Sequence, residues 1–227
     1  MPRRDTFAAG TSAFRRDAVL VQIQRGSRRS VESFGCRTSA PPRTRRRLPR
    51  RRSSSQCLPA DPLLDQHRRH LDAAASWGVP AHVSVLYPFV EPDQVDDQVI
   101  ATLAAALGQV AAFDCRFERT RWFGQDVLWL DPEPAGWFRD LTALVWNAFP
   151  LHAPYGGAHD DVVPHLTAAE CRLGSLSAVR AAEQAVLTGL PLSTRIEGVL
   201  LIAGTKAPSS WRLLHEFPLG RSQKPDP

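Results

Sequence analysis

The chain has 227 residues, a formal net charge of +5 and a pI near 9.5, but residues 1–56 hold 15 arginines against three acids while residues 57–227 hold 13 basic and 20 acidic residues. The basic pI therefore belongs to the first quarter and is no sign of a nucleic-acid-binding domain. A 43% apolar content fits a globular protein, no apolar run approaches the roughly 20 residues of a membrane span, and four scattered cysteines (Cys36, Cys57, Cys115, Cys171) without a C-x-x-C pattern give little support to a disulfide framework or zinc site and point to a reducing, cytoplasmic setting.

Residues 1–56 are rich in Arg and Ser, and PPRTRRRLPRRRSSS is low in complexity. Such a composition cannot bury enough apolar surface to offset its ordering entropy, so a disordered basic arm is expected here. One stretch inside it, AVLVQIQ (Ala18–Gln24), has the pattern of a strand. A basic tail that touches phosphates, a transit peptide, and upstream sequence from an over-early start all fit the arm, and the last is the reading adopted.

A globular domain over 57–220 follows, with a flexible tail over 221–227. DPLLDQHRRHLDAAASWG reads as a helix, with Asp61 as cap, Pro62 at the first position and Gly78 at the end. His67 and His70 fall on one side of it, expected to be a solvated face. PAHVSVLYPFVEP reads as a strand with Val83, Val85, Tyr87 and Phe89 on one face, His82 and Ser84 on the other. A helix starts at Asp93 or Asp96 and runs through QVIATLAAALGQVAA. Two strands come next, FDCRFERTRWF and DVLWLDPE, with Gly124 at the turn. PAGWFRDLTALVWNAF is an amphipathic helix, with Trp137, Leu141, Leu144 and Val145 expected inside. After the loop PLHAPYGGAHDD come VVPHLTAAE, a helix LSAVRAAEQAVLTG, and two last strands, IEGVLLIAGT and WRLLHEFPL. Short strands mixed with about four helices make an α/β (α+β) domain.

Two of these strands repeat one pattern. His82-Val83-Ser84-Val85 is matched by His165-Leu166-Thr167-Ala168, 83 residues on and about half the globular part away. Each is histidine, apolar, hydroxyl, apolar, with flanking elements that crudely repeat as well. Two pseudo-symmetric lobes, each a small mainly antiparallel sheet with helices outside, would bring both histidines to a central cleft. Two histidines suit acid–base work, because one neutral and one charged imidazole coexist near neutrality. Hydroxyls two residues on, on the same face, can donate to the charged oxygens of a phosphate.

The pair HVSVLYPF and PHLTAA resembles the two-histidine phosphoesterase superfamily, the 2′-5′ RNA ligase-like proteins, over roughly residues 61–219. The resemblance implies action on RNA ends or nucleotides bearing 2′,3′-cyclic phosphates or 2′-5′ linkages, without metal or other cofactor. It also implies His82 and His165 as catalytic residues and Ser84 and Thr167 as phosphate-binding ones. A monomer that acts on RNA ends or cyclic nucleotides, away from membranes, is the expectation. One departure stands out: where the family opens with a strand just before the first helix, this chain has SSSQCLPA.

Other residues carry weaker expectations. Tyr87, Trp122, Phe123 and Tyr155 are possible substrate contacts, by stacking on a base or by closing a loop over it; core packing is the plainer reading for at least two of the first three, and a plain turn explains the glycines after Tyr155 equally well. His159, Asp160, Asp161 and His165 could serve a metal-dependent hydrolase instead, although a loop of this composition is more commonly a solvated turn. A non-catalytic RNA-end binder with the same fold is the other alternative.

Overall fold

The structure is a computed structural model and describes residues 17–25, 62–159 and 161–220. Seven strands form one sheet in the order β1-β2-β5-β4-β3-β6-β7, and every ladder in it is antiparallel. These are β1 (Asp17–Arg25), β2 (Val83–Leu86), β3 (Phe113–Phe123), β4 (Val127–Glu133), β5 (Leu166–Glu170), β6 (Leu192–Gly204) and β7 (Arg212–Pro218). β1 also pairs with β6, so the sheet closes on itself through six strands, with β7 added outside. The α+β class and the antiparallel strands match the sequence reading; the two halves are parts of one continuous sheet.

The strand-like AVLVQIQ lies within β1, between β2 and β6. The expected arm over 1–56 is thus corrected for Asp17–Arg25, which belongs to the folded sheet. The physical reason is the ladder along β6, from Asp17 opposite Gly204 to Arg25 opposite Arg195. A local composition rule cannot weigh a partner so far along the chain. The remainder of 1–56 and the tail at 221–227 lie outside the described residues, as do Asp61, Cys36 and Cys57.

Helices α1 (Pro62–Leu71) and α5 (Leu176–Thr188) pack together and against β5, while α3 (Asp97–Leu107) and α4 (Gly136–Ala148) pack together, with α4 against β2. Each histidine-bearing strand is therefore backed by one helix pair. Val83, Val85, Leu166 and Ala168 face this side and are buried with Leu128, Leu130, Leu141, Val145 and Val179. Thr142 of α4 donates to the Val85 carbonyl at 2.8 Å and bolts the helix to β2.

Two helices differ from expectation. The first breaks at Asp72, whose side chain accepts from the Ala74 N–H at 2.9 Å and caps a new short helix, α2 (Ala73–Ser76). Gly78 follows at φ 94°, with Ser209 and Trp211 backbone atoms 3.4 Å from where a Cβ would sit, and turns the chain into β2. On α4 the buried residues are Phe138, Leu141, Thr142 and Val145. Trp137 lies 40% exposed and stacks on Phe113 at 5.4 Å, and Leu144 is only half-buried, so the inward stripe is rotated by one residue. Asp96 caps α3 through the Val99 N–H at 2.8 Å, which settles its start. No helix among the described residues is long and apolar enough to cross a membrane.

Candidate active site

β2 and β5 meet at one register pair, Val83 opposite Leu166. Carrying this antiparallel register one residue each way sets His82 opposite Thr167 and Ser84 opposite His165. Val83 and Leu166 point into the core at 1% and 0% exposure, so His82, Ser84, His165 and Thr167 share the opposite face. The four form a quadrilateral with a histidine at each of two diagonal corners. The 83-residue repeat has become a local two-fold.

Both rings are held alike. His82 Nδ1 lies 2.7 Å from the Pro80 carbonyl, and His165 Nδ1 lies 2.7 Å from the Val163 carbonyl. A carbonyl only accepts, so each Nδ1 carries a hydrogen and, in the neutral ring, each Nε2 is left with its lone pair. His82 Nε2 stands 3.1 Å from Ser84 Oγ, which donates to it when the ring is neutral. Burial lowers the pKa of His82 to about 4, aided by the Arg68 charge and by His165, against the opposing pull of the Pro80 carbonyl and Asp72. Burial likewise lowers His165, against the Val163 carbonyl. Both rings are neutral at pH 7 in the free protein.

The Arg68 charge comes from a site that the sequence reading missed. HRRH was expected to be a solvated face, and His70 is indeed exposed and His67 half-buried. Arg68, however, is 3% exposed and paired with Asp72, itself 2% exposed, at 2.7 Å. Its guanidinium also donates to the Val79 carbonyl at 3.3 Å, one residue before the carbonyl that holds His82. The Arg-Asp spacing of four residues on one helix is the available signal; what the sequence does not show is that the fold buries this pair.

On the His165 side, the sheet supplies the cleft wall. Trp129 stands opposite Thr167 in the ladder, and its ring lies 6.0 Å from His165. Phe123 meets His165 edge-on at 4.9 Å and stacks on Trp129 at 4.8 Å. A cavity of about 440 Å³ opens here, lined by Phe123, Tyr155, His159, Asp161, Val163 and His165. Tyr155 adopts φ 52° and donates its N–H to the Tyr87 carbonyl at 2.6 Å, tying this loop to the end of the first histidine strand.

Of the expected substrate contacts, Phe123 and Tyr155 reach this cavity; Tyr87 and Trp122 are held elsewhere. Tyr87 packs against Val79, Leu200 and Ile202. Trp122 donates to Glu183 at 2.7 Å, with the Arg180 guanidinium 4.2 Å over its ring. The alternation of β3 turns Phe123 to the cleft and Trp122 to α5. Trp129 was not singled out in the sequence, where DVLWLDPE reads as an ordinary strand. His159, Asp161 and His165 line one cavity, but no group of three or more His, Cys, Asp or Glu among the described residues is placed to hold a metal ion, and Asp160 lies outside those residues.

Comparison with known proteins agrees with the motif reading. The model of the 2′-5′ RNA ligase superfamily matches residues 56–207. A comparison with curated proteins found no match. Similar solved structures include TT0787 of Thermus thermophilus, at 17% identity and TM-score 0.48, covering 63% of this chain and 80% of that one. Another is E. coli LigT complexed with 3′-AMP, at 12% identity and TM-score 0.49, covering 91% of this chain and 99% of that one.

Proposed function

The chain belongs to the 2′-5′ RNA ligase superfamily, and from that premise we propose that it opens 2′,3′-cyclic phosphates on RNA ends or nucleotides to 2′-phosphates without a metal. The observation that carries this reading is the diagonal placement of two identically held histidines on one face, each opposite the other strand's hydroxyl.

In the proposed reaction one histidine, neutral, takes a proton from water through Nε2. The water oxygen bonds to phosphorus as the P–O3′ bond breaks. The other histidine, protonated, gives its proton to the leaving O3′. Attacking and leaving oxygens lie roughly in line, so the two groups act from opposite sides, as diagonal corners permit. Ser84 and Thr167 donate to the non-bridging oxygens, where negative charge concentrates. Since both rings are neutral in the free protein, the acid gains its proton as the anionic phosphate arrives, because a nearby negative charge favours the charged imidazole. The protein works as a monomer in the cytoplasm, with no resident cofactor, and ligation would be the same displacement with an RNA 5′-hydroxyl in place of water: its oxygen bonds to phosphorus as the P–O3′ bond breaks, leaving a 2′-5′ linkage.

The test is a screen of 2′,3′-cyclic nucleotides and short RNAs with a chelator present, read by product mass. The expected product gains one water and is a 2′-phosphate. Activity abolished by the chelator would replace this reading with a metal-dependent hydrolase. Binding without turnover would replace it with RNA-end recognition.

A further inference from the structure

Phe123 and Val163 line two concavities at once: the cavity beside His165, and a groove of about 940 Å³ that continues along β4 to the start of α4. Several features of this groove have no use in the reaction at the histidines. Trp129 lines it at 5% exposure, and its indole Nε1–H has no hydrogen-bond partner among the described residues. An unpaired buried donor is costly, and a ligand that meets it recovers the loss. Phe123, stacked on Trp129, is itself 36% exposed and offers aromatic surface to the groove.

At the far end, Ala135 and Gly136 open the 13-residue α4 into the groove with no side-chain cap. The first N–H groups of a helix carry its positive dipole end and favour an anion. Arg139 stands in the same place, and its guanidinium has no partner among the described residues. The groove's carboxylates, in contrast, are occupied. Asp131 is held by Arg121 at 2.6 Å and Arg119 at 3.5 Å, and Glu133 by Arg119 at 2.8 Å. Positive charge is thus left over at one end, and an aromatic stack lies between it and His165.

We propose that this groove is a subsite for the nucleotide that precedes the terminal phosphate, with its phosphodiester at Arg139 and the amino end of α4 and its base against Phe123 and Trp129. The inference rests on the phosphoesterase reading of the histidine site and narrows its substrate class to oligonucleotides. A phosphodiester carries one charge, matched by one free guanidinium. Any base presents a π face, so the stack selects for a nucleotide without selecting its sequence.

Calorimetric titration of the full chain tests this with two probes, a mononucleoside 2′-phosphate and a dinucleotide carrying the same terminal 2′-phosphate. Both probes carry the base that stacks on Phe123 and Trp129, so the dinucleotide is expected to bind about ten-fold tighter from the phosphodiester contact that the mononucleoside lacks. Arg139→Ala should bring the two affinities within about three-fold, and raised salt should shrink the difference in the wild type. Arg139→Lys should keep part of the preference. Equal affinities in the wild type, or a preference that survives Arg139→Ala, overturn the subsite whatever the turnover assay gives. A preference lost in Arg139→Ala but with no turnover of any cyclic phosphate would instead overturn the phosphoesterase reading, leaving the groove as a binding site for nucleic-acid ends.

Discussion

His82 and His165 are fixed by the same local device, a hydrogen bond from Nδ1 to the carbonyl two residues earlier. The device orients each ring, and burial holds each neutral. That has a cost at low pH. The folded-state pKa values lie below the unfolded value near 6.5, so the unfolded chain binds protons more readily. Stability should be full above about pH 6.5 and fall as the pH drops towards about 4, and His82→Gln should flatten that fall in thermal melts. Arg68 enters here as a positioning residue. Arg68→Met leaves the buried Asp72 carboxylate without its cationic partner, with only the Ala74 N–H still donating to it, and should cost about 3–5 kcal/mol. It also removes a charge that holds His82 down, so the acid limb of kcat/KM should move to higher pH; a destabilised variant with an unmoved limb would make Arg68 purely structural. Ser84→Ala and Thr167→Ala should each lower turnover by about 10- to 1,000-fold with the fold unchanged, the loss expected of a donor to a charged oxygen. Single-turnover rates on a cyclic mononucleotide would measure it.

Among the elements, the ones with a clean local signal were readable. β3 runs from Phe113 to Phe123, the stretch read from its alternation, and Gly124 turns it at φ 56°. The inward stripe of α4 was shifted by one residue because Trp137 and Phe138 are both apolar and only tertiary packing chooses between them. β1 was placed in an arm because its charged surroundings outvoted seven strand-like residues. Its role is non-local: it fills the gap between β2 and β6 and closes the sheet. Deletion of residues 1–25 should therefore expose two strand edges and give an aggregated or poorly folded product, whereas deletion of residues 1–16 should melt like the full chain. Gel filtration and thermal melts of the two truncations decide it; equal melting of both would remove β1 from the folded unit.

At the scale of the molecule, the repeat of His-x-Ser and His-x-Thr was legible because it is a pattern of residue types at half-domain separation. The register that makes those four residues a site was not, since it depends on one ladder pair, Val83 with Leu166. Nor were Arg68, Asp72 and Trp129, whose importance comes from what the fold puts beside them. The account rests on the two histidines acting as one acid–base unit across the pseudo-two-fold. The measurement that tests it most directly is turnover of 2′,3′-cyclic nucleotides, with chelator, by the wild type, His82→Ala, His165→Ala and the double variant. The account predicts that each single variant loses turnover nearly completely and that the double variant is little worse, because residues acting as a unit are non-additive. A single variant that retains near wild-type turnover would contradict it.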